Sequence, residues 1–341
     1  MELSARQLMF VDKHELEVQD RKIFAEHDSV VVENHYSLIS PGTELALFTG
    51  THIGFSDPEI KWARYPLAPG YASVGTIVFA GMDVKDYSVG DRVLHFQTHA
   101  DRSIVNPGKD LIFKLSEGID SKRALFARFG QIAYTAVAAS GKMNGYMLVM
   151  GGGIIGNLCA QLFQIARGRD AIVADLALSR VNLALRCGIK AAVGTSDRDL
   201  GEAISTITNC EGVSTVVEAT GVPSLVADSL KTVNRLGEVI LLGSTRGKVE
   251  IDVYKLIHRK AISLIGAHEG RYPLFSTLDQ KYSHYLFGYE VLKMIEEDKV
   301  KVDGFLTDVV PPSRVADAYN MLLNERDSHL GVLIDWKRSE V

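Results

Sequence analysis

A glycine-rich turn in the middle of the chain has the residue types and the spacing that bind a pyrophosphate. The segment Gly151-Gly152-Gly153-Ile154-Ile155-Gly156 fits G-x-G-x-x-G, and it lies between a short apolar run and an apolar helical stretch. In this pattern Gly151 permits the tight turn, Gly153 lets a phosphate approach the backbone, and Gly156 lets strand and helix pack closely. The first N–H groups of the helix then carry partial positive charge towards the phosphates.

A carboxylate follows this turn at the distance that a ribose-binding residue requires. Asp175 lies 19 residues after Gly156, at the end of the next apolar run, AIVAD. A carboxylate there accepts hydrogen bonds from the adenine ribose hydroxyls and repels a 2′-phosphate, which favours NAD over NADP. Arg180 is close enough in sequence to compensate a phosphate, so NADP stays an alternative. The competing interpretation is that Asp175 only caps the helix that begins near Ser179.

Two later turns are further candidates for cofactor binding. Ala219-Thr220-Gly221 follows the run STVVE, and Gly243-Ser244 follows the run EVILL. Ligands bind at the carboxyl edge of a parallel sheet, where such turns lie. Each of them, taken alone, is equally typical of an ordinary β-to-α connection.

The elements around these turns alternate between strands and helices. Apolar runs such as Tyr146–Met150 and Ala171–Ala174 are followed by helical stretches such as Ile154–Arg167. This alternation predicts βαβ units and a parallel sheet that is buried on both faces. Before this region, proline and glycine divide the chain into short β segments. We therefore expect an α/β protein in which a doubly wound parallel-sheet domain is inserted between two parts of a β-rich domain.

The composition is that of an ordinary globular protein and excludes several functional classes. The chain has 341 residues, of which 46% are hydrophobic and 23% charged, and this length predicts about two domains. A formal net charge of −5, without a long basic run, argues against a nucleic-acid partner. The three cysteines, Cys159, Cys187 and Cys210, include no CxxC pair, so neither a disulfide framework nor a four-cysteine zinc site is expected.

The same features predict a soluble, cytoplasmic protein without a membrane partner. The N-terminal residues carry charges throughout, unlike a secretory signal. The stretch Met143–Ala166 has no charged residue, but its glycines, asparagines and glutamines favour a strand, a turn and a buried helix over a membrane span.

Motifs along most of the chain resemble the medium-chain dehydrogenase/reductase superfamily. They are SPGTELALFTG, PLAPGYASVGTIV, GDRV, GGGIIG, VVEATG and the terminal HLGVLIDW. The resemblance implies a GroES-like catalytic domain from residues 1–120 and 268–341, with a Rossmann dinucleotide-binding domain at 121–267. It also implies a homodimer joined at an edge strand near Ile262–Ile265. The wording SPGTE is most similar to a branch that includes bacteriochlorophyllide dehydrogenase-like proteins.

The chain departs from the zinc-dependent members of that superfamily at the ligand positions. The corresponding residues are Pro41, Tyr71, Ala72 and approximately Arg128. None of them offers a thiolate, imidazole or carboxylate, so we predict no catalytic zinc. His95, His99, His52 and Glu44 are the nearby residues that could rebuild a metal site, and satisfied or exposed histidines are the favoured interpretation.

Without zinc, hydrogen-bond donors must polarise the substrate oxygen and deliver a proton. The resemblance places Thr43 at a relay hydroxyl, Tyr71 at a ligand histidine and Glu44 at a supporting carboxylate. Arg128 is a candidate partner of Glu44 or of an anionic substrate group, and His95 is a lower-ranked proton carrier. The structural alternatives are a local turn hydroxyl for Thr43 and a core aromatic for Tyr71.

Three functions remain open from the sequence. The first is a zinc-independent, NAD(P)-dependent oxidoreductase that acts on the alcohol or carbonyl of a small organic molecule. The second is a zinc-free enoyl or quinone reductase that acts on an activated C=C bond. The third is an inactive dinucleotide-binding sensor, because the relay histidine position holds Ala46 and the ligands are missing as well.

Overall fold

The computed structural model describes residues 1–141 and 144–338, which form two compact units. One unit contains Met1–Arg128 and the segment from Phe305 onward, and the other is Phe129–Gly304. The inserted unit thus begins and ends later in the chain than the predicted range 121–267. No helix in the described part of the chain is both long enough and apolar enough to cross a bilayer.

The N-terminal part of the first unit consists mainly of short strands. Its elements are strands β1 (Glu2–Asp12), β2 (Glu15–Phe24) and β3 (Val30–Leu38), helix α1 (Thr43–Phe48), strands β4 (Ser73–Ala80), β5 (Arg92–His95), β6 (Arg102–Val105) and β7 (Ile112–Lys114), and helix α2 (Ser121–Ala124). Strands β1 and β2 form an antiparallel hairpin. Helix α1 and the loop before β4 place Thr43, Glu44 and Tyr71 on one pocket, described below.

The second unit is a doubly wound α/β domain. Its elements, beginning with a helix that starts just before the boundary, are α3 (Phe126–Ala139), β8 (Met147–Met150), α4 (Ile154–Arg167), β9 (Ala171–Asp175), α5 (Leu178–Arg186), β10 (Ala191–Gly194), α6 (Leu200–Ile207), β11 (Val213–Glu218), α7 (Pro223–Thr232), β12 (Val233–Leu241), β13 (Ser263–Gly266) and α8 (His284–Glu296). The strands are parallel, in the order β10-β9-β8-β11-β12-β13. The order reverses between β8 and β11, where ligands of such sheets bind.

Helix α8 belongs to the second unit because its side chains pack on α3. A Cβ at Gly130 would lie 2.3 Å from Val291, so the two helices approach closely at that glycine. The rings of Tyr134 and Phe287 stack with their centroids 5.0 Å apart, and Gln131 is hydrogen-bonded to His284. The residues after 267 therefore complete the second unit before the chain returns to the first.

The returning segment completes the mixed sheet of the first unit, in which β14 and β15 are parallel and the other pairs are antiparallel. It contains β14 (Leu306–Val310), α9 (Val315–Asn324) and β15 (Gly331–Asp335), and β15 pairs with β3. The sheet order is β14-β15-β3-β4-β5-β7, with β6 also paired to β3. The α/β class, with one parallel-sheet domain inserted into a β-rich one, is confirmed.

Candidate active site

The turn between β8 and α4 leaves room for a phosphate beside a helix N-terminus. Gly151 has a φ of +101°, a conformation that favours glycine. A Cβ at Gly156 would lie 1.9 Å from the carbonyl oxygen of Gly151, whereas a Cβ at Gly153 would meet no atom within 4 Å. No side chain caps the start of α4, where Ile154 and Ile155 are the first helical residues. Open space at the positive end of a 14-residue helix fits a pyrophosphate.

Asp175 closes one side of this turn. One carboxylate oxygen accepts a hydrogen bond of 2.7 Å from the N–H of Gly152, and the other accepts one of 2.8 Å from the N–H of Ala177. A Cβ at Gly152 would lie 3.2 Å from the Cβ of Arg180, so this arginine also borders the turn. Asp175 does more than cap α5, because it fixes the glycine turn and places a negative charge beside it.

The two later turns are held together by a carboxylate that the sequence analysis did not select. Glu218 is fully buried at the end of β11, and it accepts hydrogen bonds from Thr220 N–H at 2.7 Å and from Gly221 N–H at 3.1 Å. The Thr220 and Thr245 hydroxyls also donate to it. The signal for this role was a charged residue that ends an apolar strand directly before a small-residue turn.

The glycines of these two turns permit close approach of the backbones. A Cβ at Gly243 would lie 2.4 Å from the Gly221 nitrogen, and a Cβ at Gly221 would lie 2.8 Å from the Ser244 carbonyl oxygen. Ala219 donates its N–H to the Met150 carbonyl at 2.9 Å, which joins this turn to the end of β8. All the predicted cofactor residues therefore lie on one edge of the parallel sheet.

A pocket in the first unit, lined by apolar and polar residues, brings together three of the predicted catalytic residues. Its volume is about 460 Å³, and it is lined by Thr43, Glu44, Leu47, Trp62, Pro66, Leu67, Ala68, Pro69, Gly70 and Tyr71. The Tyr71 hydroxyl donates a hydrogen bond to the Ser40 Oγ, and it also interacts with the Thr43 hydroxyl. Burial raises the pKa of Tyr71 to about 12, so its phenol is protonated and available as a donor at neutral pH.

Arg128 lies against Tyr71. Its guanidinium carbon is 4.7 Å from the centroid of the Tyr71 ring and 4.8 Å from that of Phe96. The side chain is buried, with an exposure of 6%. Two positions that the resemblance assigns to zinc ligands are thus occupied by a phenol and a guanidinium in contact.

Glu44 is the centre of a buried hydrogen-bond network. One carboxylate oxygen accepts a hydrogen bond of 2.9 Å from the Ser40 N–H. The other accepts hydrogen bonds from the Tyr319 hydroxyl and from His99 Nε2, the latter at 2.9 Å. On the far side of the imidazole, His99 Nδ1 is 2.8 Å from Ser37 Oγ. The network anchors α1 to α9 and to the loop before β6, and so fixes the backbone beside Thr43.

His95 and His52 are each held by local hydrogen bonds. His95 Nε2 is 2.8 Å from Asn34 Oδ1, and its Nδ1 accepts the N–H of Gln97 at 3.3 Å. Burial lowers the pKa of His95 to about 3, so it is neutral at physiological pH. The Nδ1 of His52 accepts the Gly54 N–H at 3.0 Å. We therefore leave His95 out of the proton path that we propose below.

Comparisons with known proteins find likenesses to dehydrogenases in both sequence and fold. A protein-family model described as zinc-binding dehydrogenase matches residues 155–283. L-Threonine 3-dehydrogenase of Vibrio cholerae serotype O1 is 27% identical over 287 residues, which cover 75% of this chain and 82% of the relative. An Escherichia coli CFT073 protein, described as a short chain alcohol dehydrogenase complexed with NADH, superposes with a TM-score of 0.80 at 17% identity. A Sinorhizobium meliloti 1021 protein, described as a zinc-binding dehydrogenase bound to NADP, superposes with a TM-score of 0.78 at 20% identity. Each superposition covers 98% of this chain and 99% of the other.

These likenesses support assignment of the chain to the alcohol dehydrogenase-like medium-chain dehydrogenase/reductase superfamily. It is an NAD(P)-dependent oxidoreductase of the alcohol dehydrogenase type, as the sequence motifs predicted. The glycine turn, Asp175 and the two turns joined by Glu218 are residues of the right kind to hold a nicotinamide dinucleotide.

The residues at the zinc positions of this dehydrogenase do not fit a zinc ion. Arg128 and Tyr71 form a cation–π contact, and neither a protonated phenol nor a guanidinium ligates zinc in ordinary chemistry. Glu44 and His99, the nearest imidazole and carboxylate, are already paired with each other. Within residues 1–141 and 144–338 no three His, Cys, Asp or Glu side chains are arranged to hold a metal.

Substitution of Glu218 by glutamine is expected to weaken both the fold and cofactor binding of this dehydrogenase. The N–H groups of Thr220 and Gly221 now donate to the Glu218 carboxylate, and in the variant they would face an amide that itself carries N–H donors. A buried hydrogen bond to a charged group contributes about 1.5–3 kcal/mol to the free energy of unfolding. Urea unfolding followed by circular dichroism should show a loss of about 2–3 kcal/mol, and NADH titration should show a raised Kd. Glu202→Gln, on the exposed surface of α6, is the matched control. Unchanged NADH affinity in Glu218→Gln would contradict a role for these turns in cofactor binding.

Proposed function

We propose that this dehydrogenase reduces a carbonyl group, or oxidises the corresponding alcohol, of a small organic molecule without a catalytic metal. The observation that carries the proposal is the protonated phenol of Tyr71, which lines the pocket beside Thr43 where the resemblance implies a zinc ligand. A buried hydroxyl is a suitable donor to a substrate oxygen that gains negative charge. The Glu44 network supports the proposal because it holds the backbone on which Thr43 lies.

We propose NAD as the preferred cofactor. Asp175 supports this preference because its negative charge, fixed beside the glycine turn, opposes a 2′-phosphate. Arg180 borders the same turn and is the residue that would accommodate a phosphate if the charge of Asp175 were removed.

Asp175→Asn is therefore expected to shift the cofactor preference towards NADPH. The amide keeps an acceptor oxygen for the Gly152 N–H but removes the charge that repels the phosphate. The ratio of the Kd for NADH to the Kd for NADPH should rise about 10- to 100-fold, in line with the effect of one nearby charge. Asp170→Asn, at an exposed ion pair with Lys190, should leave the ratio unchanged. An equal change in the Kd values for NADH and NADPH would mean that Asp175 only holds the glycine turn and does not select between the two cofactors.

The residues of the pocket suggest how the proton moves. The bound nicotinamide would supply the hydride. The Tyr71 hydroxyl would donate a hydrogen bond, and then its proton, to the substrate oxygen. Ser40 and Thr43 would return a proton to Tyr71, because both of their hydroxyls contact the phenol oxygen. Because burial keeps the pKa of Tyr71 at about 12, the phenol works as an acid towards a carbonyl.

A comparison of two substrate panels tests this proposal against the C=C alternative. Purified protein with NADH would be assayed on saturated ketones and aldehydes and on α,β-unsaturated ketones of matched size. We expect reduction of the C=O group in both panels. Product analysis that shows only saturated ketones from the second panel, with no turnover of the first, would replace the proposal by enoyl or quinone reduction.

We also propose a homodimer in the cytoplasm. The support for a dimer is β13, which pairs with β12 on one side and forms the outer edge of the parallel sheet, with Leu264 41% exposed. Sedimentation should give twice the chain mass, and Leu264→Lys should shift it towards the monomer. A wild-type monomer at micromolar concentration would refute the dimer.

The free thiols of Cys159, Cys187 and Cys210 support a reducing compartment such as the cytoplasm.

A further inference from the structure

The contact between Arg128 and Tyr71 holds a buried positive charge beside a phenol. The guanidinium carbon contacts two rings, since it lies 4.7 Å from the centroid of Tyr71 and 4.8 Å from that of Phe96. Cation–π contacts of this kind hold a guanidinium against the face of an aromatic ring. The positive charge is therefore kept beside one phenol in a buried position, with little freedom to leave it.

The charges around Tyr71 make this cation matter for its chemistry. Arg128 favours the ionised phenol, whereas burial and the nearby Glu44 carboxylate oppose it. Tyr319, on α9, adds a second buried phenol next to the same carboxylate. His99 donates to the same oxygen of Glu44 as Tyr319 does. Among these neighbours, Arg128 is the group whose positive charge directly lowers the pKa of Tyr71.

We propose that Arg128 is a positioning residue for the reduction, which orients the Tyr71 phenol and stabilises the negative charge that its oxygen acquires during proton transfer. This inference rests on the proposed function. In the step itself, the O–H bond of Tyr71 breaks and a new O–H bond forms on the substrate oxygen, which holds the electron pair released by hydride transfer to the carbonyl carbon. The tyrosinate then recovers a proton through Ser40 or Thr43 from water. The step requires the guanidinium of Arg128 to stay in contact with the Tyr71 ring.

A double-mutant cycle separates this role from a structural one. Arg128→Gln should lower kcat for ketone reduction about tenfold or more, because an opposite charge at this distance shifts a pKa by about 1–3. In the Tyr71→Phe background the same substitution should change kcat less than about twofold. The KM for neutral ketones should stay near the wild-type value, and Arg128→Lys should restore part of the rate. Arg92→Gln, which removes a guanidinium bonded to carbonyls near α2, is the control for lost stability.

Two kinetic outcomes would overturn the proposal. Equal losses in the wild-type and Tyr71→Phe backgrounds would show that Arg128 acts independently of the phenol. A raised KM confined to ketones that carry a carboxylate or phosphate would show instead that Arg128 binds an anionic substrate group.

A titration without substrate tests the contact even if no carbonyl is turned over. With 3,5-difluorotyrosine incorporated at position 71, the fluorine resonances follow ionisation of this phenol alone. The midpoint should rise by about 1 pH unit or more in Arg128→Gln, because an opposite charge has been removed. An unchanged midpoint would refute the inference whatever the kinetics show. If the titration midpoint of the phenol rises but the protein reduces no carbonyl, the electrostatic contact is supported and the proposed function is refuted.

Discussion

Gly156→Ala is expected to abolish NADH binding and to destabilise the second unit. The new Cβ would lie 1.9 Å from the Gly151 carbonyl oxygen, a backbone atom that cannot move aside without shifting the start of α4 or the end of β8. Overpacking of this kind in a rigid contact costs about 1–3 kcal/mol, and a clash with backbone lies at or above the upper end of that range. Urea unfolding and NADH fluorescence titration would measure the two effects, and we expect no saturable binding of NADH.

Gly153→Ala separates cofactor binding from folding. A Cβ at this position meets no protein atom within 4 Å, and the φ of −64° suits alanine. The free energy of unfolding should therefore stay within about 0.5 kcal/mol of wild type. The Kd for NADH should nevertheless rise about tenfold or more, because the methyl group occupies space that the pyrophosphate needs. Unaltered NADH affinity in Gly153→Ala would show that the phosphates do not lie at this turn.

Tyr71→Phe is expected to lower kcat/KM for carbonyl reduction about 100- to 1000-fold. The substitution removes the hydroxyl that we propose as proton donor, and general acids contribute about 10²–10⁴-fold to such reactions. The Kd for NADH should not change, because the residues that we propose for cofactor binding lie at or just after the ends of β8, β9, β11 and β12 in the second unit. The phenol is protonated well above neutral pH, so its ionisation should cause no fall in the wild-type reduction rate between pH 6 and 9.

Tyr87→Phe provides the matched control for Tyr71→Phe. The Tyr87 hydroxyl donates a hydrogen bond of 3.0 Å to the Ile112 carbonyl oxygen, in the same unit but outside the pocket lining. This variant should lose about 1 kcal/mol of stability and keep its kcat/KM. If Tyr71→Phe also kept its kcat/KM, Thr43 or another group would have to donate the proton, and the inference about Arg128 would fail with it.

The parallel-sheet unit could be predicted well because its signals are local. Helix α4 begins at Ile154 and ends at Arg167, as the sequence predicted, since a glycine turn precedes it and Gly168 terminates it in a left-handed conformation. The buried strand β8 is four apolar residues long, which makes it visible as a run. Glycine, apolar runs and helical periodicity are properties of neighbouring residues, and they need no knowledge of the tertiary fold.

Other features depend on contacts between residues that are far apart in the sequence, so they could not be predicted from local patterns. Helix α8 was expected in the catalytic domain, but it packs on α3 through Gly130 and Val291, which are far apart in sequence. In the hairpin of β1 and β2, charged residues occur along both strands and no residue of β2 is fully buried, so the strands lack the continuous apolar runs that marked those of the parallel sheet. In the pocket, the pairing of Glu44 with His99 and Tyr319 joins three segments of the chain, and no motif records it.

The most direct test of a metal-free hydride transfer is a single turnover on protein of known metal content. The protein would be dialysed against a chelator, analysed by mass spectrometry for zinc and other transition metals, loaded with NADH deuterated at the transferred position of C4, and mixed with a ketone. We predict deuterium on the carbinol carbon of the product, at an unchanged rate, in samples with only trace metal. A rate that falls in proportion to the metal removed, and that returns when zinc is added back, would contradict this account.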